Sequence, residues 1–128
     1  MCLTRQAGGG IRMAMLVYKI FRAGEWAELC DTGSTVGAAV DRQDGFVHLS
    51  TGAQVAETVA KHFADETGLA ILALETDDLG DALKWEPSRG GDLFPHLYRV
   101  LEIDDILWQT DLPLGPEGHE FPDGVLPE

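Results

Sequence analysis

The sequence predicts an α+β domain, and three observations carry that prediction. Strand and helix signals alternate in the first half, and the second half is a run of strand signals with short connections, which argues against a doubly wound sheet. The stretch Leu69-Ala70-Ile71-Leu72-Ala73-Leu74 is almost continuously apolar, the pattern of a central strand covered on both faces. With 128 residues, the chain is long enough to bury one core without disulfides or a structural metal.

Leu16-Val17-Tyr18-Lys19-Ile20-Phe21 reads as the first strand. In Ala23 to Asp31, Trp26, Leu29 and Cys30 fall at helical spacing, and Gly33 is placed to end that helix. Thr32 to Asp44 is rich in Gly, Ser and Asp and reads as a loop. Phe46 to Ser50 is the next strand. Thr51-Gly52-Ala53-Gln54 has the form of a capping box, opening a helix with Val55, Val59, His62 and Phe63 on one face. Gly68 breaks the pattern before the central strand. Asp77-Asp78-Leu79-Gly80 is a turn, Leu83 to Glu86 a short strand, and Pro87 to Asp92 a turn-rich loop. Phe94 to Leu101 extends again, and Ile103 to Trp108 begins as a turn and ends as the last strand. The domain therefore spans residues 15–112. Residues 1–14 form a flexible extension, with Met13 or Met15 as an alternative start. Residues 113–128, with four prolines and three glycines, form a loosely packed tail.

Charge and composition narrow the function. A net charge of −13 repels polyanions, so no nucleic-acid partner is expected. No apolar run approaches the ~20 residues of a membrane span. Met1 to Ala14 lacks the continuous apolar stretch of a signal peptide. Cys2 and Cys30 read as free thiols of a cytoplasmic protein.

Two strings concentrate the chemistry: Gly45-Phe46-Val47-His48-Leu49-Ser50-Thr51 and Phe94-Pro95-His96-Leu97-Tyr98. Strand alternation places Phe46, His48 and Ser50 on one face, and Phe94, His96 and Tyr98 on another. Between the strings lies Lys84-Trp85-Glu86-Pro87-Ser88-Arg89-Gly90-Gly91. His48, with Ser50 and Thr51, sits before a helix start whose free N–H groups suit an anion; the plainer reading is a buried histidine followed by capping residues. Glu86 beside Trp85 is an acid/base or ribose-binding candidate, or else a surface partner of Arg89. His96 is a candidate general base and Tyr98 a stacking or donating group; otherwise both serve the core. Arg89, flanked by Gly90 and Gly91, either reaches an anion or is a solvated turn residue. There is no P-loop, no dinucleotide fingerprint and no nucleophile elbow. His48, Glu86 and His96 remain an alternative set of metal ligands, although no metal is expected.

Tyr18-Lys19-Ile20, Trp26, Asp44 through Thr51, Gln54, Lys84-Trp85-Glu86 and Phe94 through Tyr98 together resemble the signature of DUF952, a bacterial family defined by a domain of unknown function. The resemblance runs from about Leu16 to Trp108. It implies an ADP-ribosyltransferase-like split β-sandwich of small, mostly antiparallel sheets with two main helices. It also implies a cleft that takes NAD, as substrate, or an ADP-ribosyl group. On that resemblance His48 contacts a ribose or the nicotinamide amide, Tyr98 or Trp85 stacks on the nicotinamide, and Glu86 or His96 assists at the ribose. The expected function is an enzyme acting on such a small molecule. The alternatives are a non-catalytic nucleotide or small-molecule binding module, and a metal-assisted enzyme using the His-Glu-His set.

Overall fold

The computed structural model describes residues 15–87 and 91–126. Eleven strands and four α-helices follow one another along these residues. In chain order they are β1 (Leu16–Arg22), α1 (Ala23–Thr32), β2 (Ser34–Thr35), α2 (Ala39–Asp44), β3 (Val47–His48), β4 (Ser50–Thr51), α3 (Val55–His62), β5 (Leu69–Glu75), α4 (Thr76–Leu79), β6 (Leu83–Pro87), β7 (Leu93–Leu97), β8 (Leu101–Glu102), β9 (Ile106–Leu112), β10 (Leu114–Gly115) and β11 (Gly118–His119). Every strand pairing is antiparallel. A four-stranded sheet runs β4-β1-β5-β9 and a three-stranded sheet runs β3-β7-β6, with β2-β8 and β10-β11 as two-stranded ribbons. The protein is thus α+β with small antiparallel sheets.

The four-stranded sheet is covered on both faces, and strand alternation sorts its side chains. Val17 and Phe21 of β1, with Ala70, Leu72 and Leu74 of β5, join Leu29 of α1 and Val47 and Leu97 of the three-stranded sheet in one core. Tyr18 and Ile20, with Leu69, Ile71 and Ala73, face the other way against Val55 and Val59 of α3. All seven residues of β5 are buried, as its apolar run predicts. α1 ends where Gly33 adopts φ 82° and its N–H bonds the Leu29 carbonyl at 2.9 Å.

Residues 47–51 belong to both main sheets. β3 pairs with β7, β4 pairs with β1, and between them the Leu49 N–H reaches the Pro95 carbonyl at 3.0 Å. Val47 and Leu49 point into the shared core. His48 and Ser50, which alternate with them, point out of it, each on its own sheet.

Three expectations change. The Thr32–Asp44 loop contains β2 and the short helix α2, because Asp41 turns its carboxylate back onto the Ala38 N–H at 2.7 Å and starts a turn of helix. The segment beyond Pro113 is packed rather than loose: Val125 is 4 % exposed within the α3-side core, and a ring nitrogen of His119 donates to the Glu66 carbonyl at 2.7 Å. Apolar Val125 and Phe121 bring this segment onto a face that β1 and β5 leave apolar. Cys30, half-buried in α1, is disulfide-bonded, so the reading of a free thiol does not hold; two cysteines form no spacing pattern that would reveal a pairing. The 1–14 extension and Cys2 lie outside the described residues. No described helix is long and apolar enough to cross a membrane.

Candidate functional site

The outer face of the three-stranded sheet gathers the site. Register sets His48 directly opposite His96, and His96 opposite Lys84, while Glu86 faces Phe94. The alternate residues Val47, Leu97 and Leu83 pack into the core. His48 and His96 meet edge to face, with ring centroids 5.4 Å apart. Phe46, just before β3, lies against both: it stacks on His96 at 4.2 Å and 29° and tilts against His48 at 4.6 Å. It also meets Tyr98 at 5.1 Å. Ring pairs at these separations add to the burial they provide.

One carboxylate links the far end of this cluster. Glu86 Oε1 accepts from the Tyr98 hydroxyl at 2.6 Å and bonds His96 Nδ1 at 2.8 Å. The Tyr98 hydroxyl, and then His96, hold Glu86 below the usual carboxylate range. The same bond pushes Tyr98 above the usual phenol range. With Nδ1 donating to Glu86, the acceptor lone pair of His96 lies on Nε2, which makes no hydrogen bond among the described residues. A carboxylate that orients an imidazole in this way leaves the outer nitrogen poised to accept or return a proton. Substituting Tyr98→Phe removes the largest influence on Glu86. Its carboxyl titration, followed by carbon-detected NMR, is expected to move up toward the ordinary range; an unmoved titration would mean that the 2.6 Å contact does not form in solution.

The other end is built on Asp41. Its Oδ1 meets the ring Nδ1 of His48 at 2.6 Å and the His48 backbone N–H at 2.9 Å, while its Oδ2 meets Lys19 Nζ at 2.7 Å. Lys19 also donates to the His48 carbonyl at 3.0 Å. Burial alone would raise the Asp41 pKa, but the His48 bonds and the Lys19 ammonium outweigh it and bring it down to about 2. Burial pulls Lys19 below the usual lysine range, against the hold of Asp41. The second ring nitrogen of His48 faces Asp44 at 3.0 Å. Both nitrogens of His48 are therefore committed to carboxylates, which fits a positioning role better than proton transfer. Gly37 is needed for this arrangement: its φ is +100°, and a Cβ there would run into the Asp41 carboxylate.

A cavity of about 440 Å³ opens beside the cluster, between α2 and the stretch Tyr98–Val100. Phe46, Val47, Tyr98, Val36 and Val100 line it, together with Asp41, Arg42, Gly45 and Arg99.

Of the residues singled out in the sequence, His48, Glu86, His96 and Tyr98 converge here. Ser50 does not. The strand changes sheet at Leu49, and the two sheets share a core, so the outward direction at His48 and at Ser50 leads to different surfaces; the Ser50 hydroxyl bonds Thr58 of α3 at 3.1 Å. Thr51 serves the turn into α3, its N–H bonding Gln54 Oε1 at 3.1 Å, which is one half of the expected capping box. Trp85, 38 % exposed, pairs with Pro95 and shares the core-side alternation of Leu83 and Leu97, opposite to Glu86. Arg89 lies outside the described residues. Among the described residues no group of three His, Cys, Asp or Glu side chains is arranged to hold a metal ion, so His48, Glu86 and His96 do not form the alternative ligand set. Lys19, Asp41 and Asp44 were absent from the sequence-derived site. The available signal was Lys19 itself, a charge in the middle of an apolar strand that requires a buried partner.

The fold is that of a small α+β protein with small antiparallel sheets, and one of those sheets carries this aromatic-carboxylate cluster on its outer face. The chain belongs to the DUF952 family: residues 20–109 match the family described as "Protein of unknown function (DUF952)". It is similar to the crystal structure of protein CC0527 from Caulobacter crescentus, at 45 % identity and a TM-score of 0.81 over 86 % of this chain and 97 % of that one. The solution NMR structure of CC0527 gives 47 % identity and a TM-score of 0.73, over 81 % of this chain and 90 % of that one. No curated protein matches the chain.

Proposed function

We propose that this protein is an enzyme acting by proton transfer on a small molecule with a ribosyl centre, NAD or an ADP-ribosyl compound. The observation that carries the acid/base reading is the Glu86–His96 pair, with Nε2 of His96 as the proton-transferring atom. Glu86, kept ionised by Tyr98 and His96, is placed to stabilise positive charge that develops at a ribosyl carbon as the bond to its base breaks; water forms the new bond to that carbon and gives its proton to His96 Nε2. Phe46 and Tyr98 supply flat apolar surface beside this pair, and the adjoining cavity falls in the range of small-molecule sites. The choice of an ADP-ribosyl substrate rests on the resemblance of the sequence signature to an ADP-ribosyltransferase-like group, and the ADP-ribosyltransferase-like architecture is part of the same proposal. His48, through Asp41 and Asp44, fixes the wall against which His96 packs.

The test is a thermal-shift titration with NAD, ADP-ribose and nicotinamide, followed by chromatographic detection of free nicotinamide after incubation with NAD. The expected result is a rise in melting temperature with NAD and release of nicotinamide. Stabilisation without release would replace the enzyme by a binding module. No shift with any of the three at millimolar concentration would remove the ADP-ribosyl class altogether.

A further inference from the structure

We infer that the cavity between α2 and Tyr98–Val100 is a specificity pocket for a flat, uncharged ring. The inference deepens the proposed function by assigning one end of its substrate, and it rests on that reading only for which end of the substrate reacts. The charged groups in the wall are already neutralised by the protein. Asp41 is paired with Lys19 and His48. Arg42 is paired with Glu28 at 3.1 Å. Arg99 makes a two-pronged pair with Asp105, at 2.8 and 2.9 Å. An anionic ligand would have to compete with these carboxylates inside a protein of net charge −13. What remains for a ligand is apolar: Val36, Tyr98 and Val100 are 42 %, 44 % and 43 % exposed although they are large hydrophobic residues, and all three line the same cavity. Exposed apolar side chains gathered around one concavity mark a binding surface. Phe46 and Tyr98 are the wall shared by this pocket and the Glu86–His96 pair. A ring seated against Tyr98 would therefore hold its attached group at the proton-transferring histidine, with anionic parts of the ligand directed to solvent.

The experiment is an NMR titration of the whole chain with indole and with adenine as neutral rings, and with inorganic pyrophosphate as the anion. Both rings are expected to shift the amide signals of Gly45, Phe46 and Val100, and pyrophosphate to leave them in place. The variant Val100→Asp puts a charge on an exposed wall position, where the fold tolerates it, and is expected to weaken ring binding roughly tenfold. Shifts from pyrophosphate and none from the rings, or ring binding unaffected by Val100→Asp, would overturn the inference. Ring binding in a protein that turns over no ribosyl substrate would leave the pocket standing and remove the proposed reaction. Turnover with no ring effect at these amides would do the reverse.

Discussion

Replacing Asp41 with Asn is expected to cost on the order of 3–5 kcal/mol of stability, the usual loss when one partner of a buried ion pair is removed. Lys19, 5 % exposed between two sheets, would lose its neutralising carboxylate and have only neutral acceptors, such as the His48 carbonyl, to meet it. The amide would also disturb the bonds to the Ala38 and His48 N–H groups. Lys19→Met should be milder, since Asp41 keeps His48 and both backbone donors. The pH dependence has a definite sign. Asp41 is lowered from an ordinary 3.8 to about 2, so its contribution is fully present above the unfolded pKa and is lost as the pH falls toward 2. That difference corresponds to about 2 kcal/mol. Urea denaturation from pH 7 to pH 2 would measure both effects. An Asn variant within about 1 kcal/mol of the parent at neutral pH, with an unchanged acid limb, would show that the pair contributes little.

The second large effect is on turnover. His96→Gln keeps a polar side chain of similar reach on β7 but has no titratable nitrogen, and should lower nicotinamide release by about 10²–10⁴-fold. Glu86→Gln should have a smaller effect, because it loosens the orientation of His96 and removes the negative charge without removing the proton carrier. Both positions lie on the outer face of the three-stranded sheet, away from the residues it sends into the core. Glu86→Gln should leave the melting temperature near the parent value, whereas His96 is 5 % exposed and stacked on Phe46, so His96→Gln should lower it as well, and its turnover is compared at a temperature where the variant is folded. His48→Gln separates positioning from proton transfer: the rate should fall while the shape of the pH profile is kept. If His96→Gln retained the parental rate, proton transfer would have to be assigned elsewhere.

Much of this was legible in the sequence, for reasons that differ by element. The central strand declared itself because burial on both faces requires an unbroken apolar run, as Leu69–Leu74 provides. Alternation along Phe94–Tyr98 put His96 and Tyr98 on one surface, because the segment runs through one strand and the residue after it; that Glu86 of the neighbouring strand shares this surface follows from register, which alternation within one segment does not give. Alternation misled at Ser50, because it says nothing about a strand that leaves one sheet for another. Trp85 failed for a simpler reason: it is the neighbour of Glu86 and so points the opposite way. The Asp41 network was illegible because Gly, Ser and Asp in a row read as a loop. The turn of helix there is held by a side chain whose partner, Lys19, lies 22 positions earlier in the chain.

The Lys19–Asp41 clasp also bears on how copies of this chain meet. β3 is the last strand of its sheet, and the outward N–H and C=O of His48 would otherwise offer a bare rung to a neighbouring molecule. Both groups are occupied from within, by Asp41 and Lys19. Strand-by-strand assembly therefore has no foothold on this border. At the opposite border β6 carries the charge of Lys84 and closes with Pro87, which has no N–H to donate.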